Sequence, residues 1–459
     1  MKFFDSITNL LSGKKQFSKG LFVKKVTDPS GFENRIHLRV DPDGTGVLWV
    51  NASQTFYLNQ SASLMSWCLI NNYSDAETEK LLVNSYPQDA EKVKADYRLF
   101  SHELKAMLSG ESDVCDLCQS GIDSDMPFSA NPSAPYRMDL ALTYGCNNHC
   151  SHCYNDRARQ SKPLSVPEWK KVMKKIADNG IPHIVFTGGE PTLYPGLVEL
   201  AAYAEELGLV SGMNTNGREL QNKALVDKLA QVKLDHIQIT LESNEEAVHD
   251  EMVETPGAWK ETVAGIQNAV QSGIFTMTNT TLLRSNGTAE KVRELICFLN
   301  ELGVKTVGLN ALIYSGAGTT VDTGLDEADL PPLLKTAQQV CEENGQQLIW
   351  YTPTQYCQFD PQDFQLGIKG CSAARYSMCV EPDGTVLPCQ SWYEGTGNLL
   401  RDSWKKIWNH PLNHSIRDRT YQPSDCSACE KSQICGGGCP LAIAYKPAIH
   451  PQQSIPSCF

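Results

Sequence analysis

The feature that most constrains this chain is the segment YGCNNHCSHCYND, residues 144–156, in which Cys146, Cys150 and Cys153 lie close together. A structural zinc ion or a cubane iron–sulfur cluster normally takes four protein ligands. Three thiolates can hold three irons of a cubane, so the spacing indicates a cluster whose fourth iron is open to a substrate or cofactor. The alternative is a zinc knuckle completed by His149 or His152.

The other cysteines point to the same kind of chemistry. The chain holds 17 cysteines in 459 residues, and no apolar run is long enough to cross a membrane. The N-terminal segment lacks the apolar run and cleavage site of a signal peptide. We therefore expect a cytoplasmic protein with no membrane partner, in which dense cysteines indicate metal or redox chemistry rather than disulfides. A net charge of −13 argues against a nucleic-acid partner.

Residues 136–350 repeat an apolar strand followed by a helix six times. This pattern predicts an α/β fold with a parallel sheet in a partial (β/α)6 barrel, whose active site lies at the carboxyl ends of the strands. The three-cysteine loop follows the first of these strands. Polar segments follow the next three, namely FTGGEPTL (186–193), NTNG (214–217) and TLES (240–243).

These segments, in this order on successive strands, resemble the radical S-adenosylmethionine (radical SAM) superfamily. The resemblance implies that the open iron binds the methionine end of S-adenosylmethionine and that reductive cleavage releases a 5′-deoxyadenosyl radical, which removes a hydrogen atom from the substrate. It implies that Cys146, Cys150 and Cys153 hold the cluster. The cofactor contacts that it implies come from Gly188, Gly189, Glu190, Pro191, Asn214, Asn216 and Ser243, with His152 in place of an aromatic residue.

One position departs from the resemblance. Many relatives carry an Arg shortly after the fourth strand to hold the cofactor carboxylate, and this chain has none there. Asn279 on the fifth strand is a candidate for that contact.

The C-terminal segment, residues 351–459, holds a second cysteine array. Its pattern resembles the SPASM extension of radical enzymes, which implies two auxiliary [4Fe–4S] clusters. The implied ligands of one cluster are Cys426, Cys429, Cys435 and Cys458, and those of the other are Cys371, Cys389, Cys439 and a fourth cysteine. Cys357 and Cys379 are the two candidates for that fourth place. We favour Cys357, because side chains alternate between the two faces of a strand and the sequence leaves open which face of the hairpin Cys379 occupies. A pair of zinc ribbons is the alternative.

The N-terminal segment, residues 31–110, predicts a small sheet followed by three helices. It resembles the PqqD-like fold, which implies a small winged-helix-like α+β domain of three strands and three helices that binds the leader of a ribosomally made precursor peptide as an added strand. A structural winged-helix domain or a dimerisation module is the alternative. A tail (1–30) precedes this segment. A linker (111–135) follows it, and whether Cys115 and Cys118 in that linker bind metal stays open.

The resemblances together imply an enzyme that modifies a precursor peptide, with a side-chain crosslink or another oxidative modification as the product. The implied partners are that peptide and an electron donor of the flavodoxin or ferredoxin type. Other readings are a maturase of protein side chains, a small-molecule radical oxidase, or a peptide-carrying electron-transfer module that is not an enzyme.

Overall fold

The structure is a computed structural model that describes residues 17–28, 31, 33–51, 54–109, 132–155, 159 and 161–449. The chain divides into two compact units, each with its own sheet. The first comprises the residues up to Ala134 together with Lys175–Pro182, and the second comprises Pro135–Lys174 and the residues from His183 onward. No helix in the described ranges combines the length and apolar character that crossing a membrane requires.

The first unit contains a four-stranded antiparallel sheet followed by three helices. Three strands and all three helices match the predicted elements. The remaining strand, β1, was not predicted, because it lies in the segment expected to be a tail, and it pairs with β2 along its whole length. The elements are β1 (Gly20–Thr27), β2 (Glu33–Val40), β3 (Gly46–Val50), β4 (Gln54–Leu58), α1 (Gln60–Ile70), α2 (Asp75–Ser85) and α3 (Ala90–Ser109).

Trp67 on α1 is the centre of this unit's core and is fully buried. Its ring meets the rings of Phe17 and Phe22 edge-on, at centroid distances of 5.5 Å and 6.3 Å. Such aromatic pairs add about 0.5–1.5 kcal/mol to the free energy gained from burial alone. The side chain of Asn59 caps α1, and a capping box between Ser74 and Glu77 begins α2. The caps fix where α1 and α2 begin, and the contact of Trp67 with Phe22 packs α1 against β1.

The second unit contains the six predicted strand and helix pairs, which confirms the partial barrel. The six strands are parallel and neighbour one another in sequence order. The strands are β5 (Arg137–Thr143), β6 (His183–Gly188), β7 (Val210–Thr215), β8 (His236–Thr240), β9 (Phe275–Leu282) and β10 (Thr306–Ala311). The helices are α4 (Val166–Asp178), α5 (Leu197–Glu206), α6 (Lys223–Gln231), α7 (Glu246–Met252), α8 (Ala258–Gln271), α9 (Ala289–Glu301) and α10 (Leu330–Asn344). Of these seven helices, the short α7 was not predicted.

Further strands extend the same sheet at both ends, one just before the C-terminal segment and three within it. Strand β11 (Gln347–Trp350) pairs with β10, and β12 (Ser377–Val380) pairs with β5, so that Cys379 lies opposite Asp139. The predicted hairpin is present, because β12 pairs antiparallel with β13 (Thr385–Leu387) around a turn at Gly384, whose φ is 86°. The remaining elements are β14 (Gly397–Asn398), α11 (Trp404–Trp408), α12 (Pro411–Arg417), α13 (Ser432–Cys435) and α14 (Pro440–Ile449).

Polar side chains occupy the inner face of four neighbouring strands. In the strand register Asn214 lies opposite Gln238, Thr240 opposite Asn279, and Thr281 opposite Asn310. All six residues line one cavity inside the second unit. An apolar barrel interior would need no such side chains, so this band indicates that the cavity receives a polar ligand.

Candidate functional site

The three-cysteine loop lies at the carboxyl end of β5, as predicted. Cys146, Cys150 and Cys153 all line the cavity, whose volume is about 640 Å³. The same cavity is lined by Asn214, near the end of β7, and by Asn216, which follows that strand. The structure therefore brings the loop and the third strand end together, which the resemblance implied.

The loop after β6 packs directly on the cysteine loop. The backbone N–H of Gly189 donates to the Thr143 carbonyl at 2.7 Å, and a Cβ at Gly189 would lie 2.4 Å from the Gly145 carbonyl oxygen. A Cβ at Gly188 would lie 2.2 Å from the Thr143 carbonyl oxygen. Both glycines also line the cavity. The two glycines therefore permit a close approach between backbones as well as access to a ligand.

Glu190 is fully buried and connects the loop after β6 to the end of β7. Its carboxylate accepts hydrogen bonds from the backbone N–H of Asn216 at 2.8 Å and of Thr192 at 3.0 Å, and from the Thr192 and Thr215 hydroxyls. Burial raises the pKa of this carboxyl, and the hydrogen bonds oppose that rise. Neither Glu190 nor Pro191 is among the described residues that line the cavity. A contact from Glu190 to the cofactor ammonium stays a prediction.

Asn216 connects the third strand end to the cysteine loop. Its Nδ2 donates to Asn147 Oδ1 at 2.6 Å and lies 3.9 Å from Cys146 Sγ. Ser243 takes a different place, because its Oγ accepts from the backbone N–H of Glu245 at 3.0 Å and it does not line the cavity. Its predicted contact with the cofactor is untested.

The neighbour of Ser243 is a site residue that the sequence reasoning missed. Glu242 is buried, lines the cavity and lies 2.9 Å from His152 through Oε1 and Nε2. Its Oε2 accepts from the backbone N–H of Thr281 at 2.8 Å. Its backbone N–H donates to His249 Nδ1, and burial lowers the pKa of that histidine. The sequence signal that could have identified Glu242 is an acidic residue directly after an apolar strand.

The donor set suits an iron–sulfur cluster. Burial raises the pKa of Cys150 well above its ordinary value, and Cys153 and Glu242 add to the rise, so a cationic metal must displace the proton. Thiolates are the usual ligands of iron–sulfur clusters, and a cubane spreads its ligands over separate iron atoms.

Three cysteines of the second array lie near one another. Cys371 and Cys389 pack in one cluster with Trp392. Burial raises the pKa of Cys389 to about 12 and also raises that of Cys371, and each thiol is influenced by Cys439. Cys439 itself lines the cavity of the three-cysteine loop. One cavity therefore has thiols of both arrays in its wall.

The two candidates for the fourth ligand lie in different surroundings. Cys379 is buried with Ala141 and Leu387; burial raises its pKa well above the ordinary value, and the nearby Cys389 adds to the rise. Cys357 lies in a loop that contacts the Cys439 segment, because Gln355 Nε2 donates to the Gly437 carbonyl at 3.3 Å. Gln355 lines the cavity beside Cys439. The choice of Cys357 over Cys379 as the fourth ligand stays a prediction.

The other array ligands are described in part. Cys435 is buried, and its Sγ accepts from the Tyr356 N–H at 3.4 Å. Cys426 and Cys429 form a short turn in which the Cys429 N–H donates to the Cys426 carbonyl. Cys458, and the linker residues Cys115 and Cys118, lie outside the described residues.

Comparison with protein families decides the class. Residues 140–299 match the radical SAM superfamily, and residues 371–430 match SPASM, an iron–sulfur cluster-binding domain. The chain contains a radical SAM domain and a SPASM domain. The radical SAM domain binds a [4Fe–4S] cluster and S-adenosylmethionine, and the SPASM domain binds auxiliary iron–sulfur clusters.

Individual relatives of this radical SAM enzyme have different named activities. It is 26% identical over 326 residues to an AdoMet-dependent heme synthase of Methanosarcina barkeri, covering 67% of this chain and 92% of the relative. It is 28% identical over 317 residues to a PqqA peptide cyclase of Gluconobacter oxydans, covering 67% and 86%. The fold is similar to that of Streptococcus suis SuiB bound to its precursor peptide SuiA, with a TM-score of 0.70, 17% identity and coverage of 94% and 97%.

Proposed function

We propose that this radical SAM enzyme oxidatively modifies a ribosomally made precursor peptide in the cytoplasm, with a side-chain crosslink as the leading product. The observation that carries the proposal is the shared cavity, which is lined both by the three cysteines of the first loop and by Cys439 of the SPASM array. A substrate in this cavity would lie between a centre that starts radical chemistry and a centre that can accept an electron. A net two-electron oxidation of the substrate needs both steps, removal of a hydrogen atom at the first centre and loss of an electron to the second.

The first unit supports a peptide substrate. Among the described strands β4 pairs only with β3, so its other edge can receive an added strand. Tethering the leader there would raise the concentration of the core peptide at the cavity. The structural match to SuiB covers 94% of this chain, whereas the sequence match to the PqqA peptide cyclase covers 67%.

The domain boundaries that go with this proposal are those predicted from the sequence. Residues 31–110 form the peptide-recognition domain, 136–350 the radical SAM core and 351–459 the SPASM domain. An electron donor of the flavodoxin or ferredoxin type supplies the reducing electron.

The chain's own residues provide binding, orientation and exclusion of water. Cys146, Cys150 and Cys153 would hold the cluster of the core. When bound, that cluster and S-adenosylmethionine supply the radical that abstracts hydrogen. Gly188 and Gly189 leave room for the cofactor beside the loop, and the loops around Glu190 keep this arrangement rigid. The enclosing strands exclude water, which would otherwise intercept reactive intermediates.

The SPASM ligands are proposed in the same way. One auxiliary cluster would use Cys357, Cys371, Cys389 and Cys439, and the other Cys426, Cys429, Cys435 and Cys458. Because Cys439 lines the cavity, the first of these clusters is the one placed to accept an electron from the substrate.

A small-molecule substrate is the second candidate. The observation that favours it is the similarity to the heme synthase, whose length is 92% covered. The two candidates differ in whether a peptide binds to the first unit, so binding decides between them.

The first experiment measures the chemistry with two variants of the anaerobically reconstituted, reduced protein. Cys150→Ala is expected to abolish release of 5′-deoxyadenosine from S-adenosylmethionine. Cys435→Ala is expected to retain part of that release but to make no modified peptide. Full product from Cys435→Ala would show that the cluster of Cys435 has no essential chemical role.

The second experiment measures the substrate. A synthetic peptide encoded by a short reading frame beside the gene is titrated against the full-length protein, and its mass is followed after the reaction. We expect binding and a mass loss of two hydrogens for a crosslink. A peptide with a scrambled leader is the matched control and should neither bind nor react. Absence of both effects with the native peptide would contradict the proposal.

A further inference from the structure

Asn310 on β10 carries a buried side-chain oxygen that points to a ligand. The residue is 6% exposed and lines the cavity. Its Oδ1 has no hydrogen-bond partner among the described residues. A buried carbonyl oxygen without a donor costs about 1–3 kcal/mol, so a bound molecule that supplies an N–H or O–H would recover this free energy.

The orientation of the Asn310 amide is fixed by its other atom. Nδ2 donates to the carbonyl of Ala311 at 2.9 Å and to Thr281 Oγ1 at 3.3 Å. Because a backbone carbonyl only accepts hydrogen bonds, the NH₂ group must face Ala311. The oxygen therefore faces away from Ala311 and can serve only as an acceptor.

A buried hydrogen-bond network connects Asn310 to the cysteine loop. Thr281, the partner of Asn310 Nδ2, donates its backbone N–H to Glu242, and Glu242 pairs with His152 next to Cys153. Each of these residues is at most 8% exposed. The network fixes the position of Asn310 relative to the place where the radical is generated.

Asn310 lies away from the loops that are expected to hold the cofactor. Those loops follow β5, β6, β7 and β8, and β10 is two strands further, or about 10 Å along the sheet. On its other side, the N–H of Ala311 donates to Thr352 Oγ1 at 2.8 Å. Thr352 begins the loop that carries Gln355 to the Cys439 segment. Asn310 is thus on the SPASM side of the cavity.

We propose that Asn310 anchors the substrate by accepting a hydrogen bond from a main-chain N–H of the bound peptide, an inference that rests on the proposed peptide substrate. This contact places a peptide carbon between the two cysteine arrays. Asn310 is a positioning residue, because it acts by holding the substrate rather than by reacting with it.

The test is a double-mutant cycle on the full-length, reconstituted protein. The probes are the synthetic peptide of the adjacent reading frame and derivatives in which one main-chain N–H at a time is replaced by N–CH₃. Asn310→Leu should raise the KM for the unmodified peptide about tenfold. One N-methylated derivative should raise the wild-type KM by a similar factor and have no further effect on Asn310→Leu, because both changes remove the same bond.

Three controls separate this role from others. The affinity for S-adenosylhomocysteine and the peptide-free release of 5′-deoxyadenosine should be the same in Asn310→Leu and wild type. Asn413→Leu makes the same change at a fully buried site outside the cavity, where Nδ2 bonds to the Ile407 carbonyl at 2.8 Å. This variant should lose thermal stability without a change in KM. If Asn310→Leu binds less iron, Asn310→Ala repeats the cycle without added bulk.

The outcomes are distinguishable. If wild type modifies the peptide but no N-methylated derivative is coupled to residue 310, the anchoring role is wrong and the proposed function stands. If Asn310→Leu weakens S-adenosylhomocysteine binding, the oxygen belongs to the cofactor site and the anchoring role is again wrong. If wild type neither binds nor modifies the peptide, the proposed function fails and the anchoring role fails with it.

Discussion

The imidazole of His152 and the carboxylate of Glu242 meet inside the barrel, with 2.9 Å between Nε2 and Oε1. His152 belongs to the cysteine loop after β5, and Glu242 follows β8. The other carboxylate oxygen accepts from the Thr281 N–H, so one side chain connects the cysteine loop to two further strands. We interpret this contact as the one that holds the loop over the barrel.

Glu242→Leu tests that interpretation. The substitution leaves the buried Thr281 N–H and His152 Nε2 without a partner, at a cost of about 2 kcal/mol or more. We expect the thermal midpoint to fall by several degrees and 5′-deoxyadenosine release to fall at least tenfold. Glu242→Gln keeps one acceptor oxygen, so its thermal midpoint and its 5′-deoxyadenosine release should lie between those of Glu242→Leu and wild type. Glu342 is an exposed glutamate on α10, so Glu342→Leu should change neither the thermal midpoint nor the release of 5′-deoxyadenosine. Wild-type release from Glu242→Leu would contradict the assigned role.

Gly189→Ala tests the contact between the two loops. The added Cβ would lie 2.4 Å from the Gly145 carbonyl oxygen, and backbone cannot give way as a flexible side chain can. We expect the cysteine loop to shift and iron bound per chain to fall by the amount of one cluster. Gly273→Ala is the control, since its φ of 80° makes alanine unfavourable there while no atom lies within 4 Å of the new Cβ. Unchanged iron in Gly189→Ala would show that the close approach is dispensable.

The Cys389 thiol should titrate late in metal-free protein. Burial raises its pKa to about 12, against an ordinary value near 9. The folded state therefore holds a proton that the unfolded state loses, and the stability of metal-free protein should fall as pH rises from about 9 to about 12. The measurement is thiolate absorbance at 240 nm, taken as the difference between wild type and Cys389→Ser. A midpoint near pH 9 in that difference would contradict the assigned burial.

Cys357 and Cys379 should differ in their effect on iron content. Cys357→Ala removes a proposed ligand from the cluster of Cys371, Cys389 and Cys439, so one auxiliary cluster should be lost or become labile. Cys379→Ala removes a thiol packed against Ala141 and Leu387 and should keep all iron. Iron and sulfide analysis of the two variants checks this. The reverse result would assign Cys379 as the ligand.

Much of the second unit could be predicted because its signals are local. The six apolar strands, the loop of Cys146, Cys150 and Cys153, and the hairpin at Gly384 each lie within short segments of sequence. Residues 214–217 were also placed correctly at a strand end. Local periodicity fixes these elements, and the parallel order follows from helical crossovers.

The parts that could not be predicted depend on distant partners. Glu242 resembles a surface residue until the fold brings His152, ninety positions earlier, beside it. The contact of Glu190 with the cofactor stays a prediction, but its hydrogen bonds from Thr215 and Asn216 of the next strand end depend on the fold. Strand β1 is defined by its pairing with β2 rather than by its own pattern.

The central claim is that the three-cysteine loop holds a cubane with one iron open to S-adenosylmethionine. The most direct measurement is Mössbauer spectroscopy of ⁵⁷Fe-reconstituted, anaerobic Cys389→Ala/Cys429→Ala protein, in which the loop cluster is expected to remain alone. The account predicts a [4Fe–4S] signal in which one iron changes its isomer shift when S-adenosylmethionine is added. Zinc in place of iron, or four irons that are all insensitive to the cofactor, would contradict it.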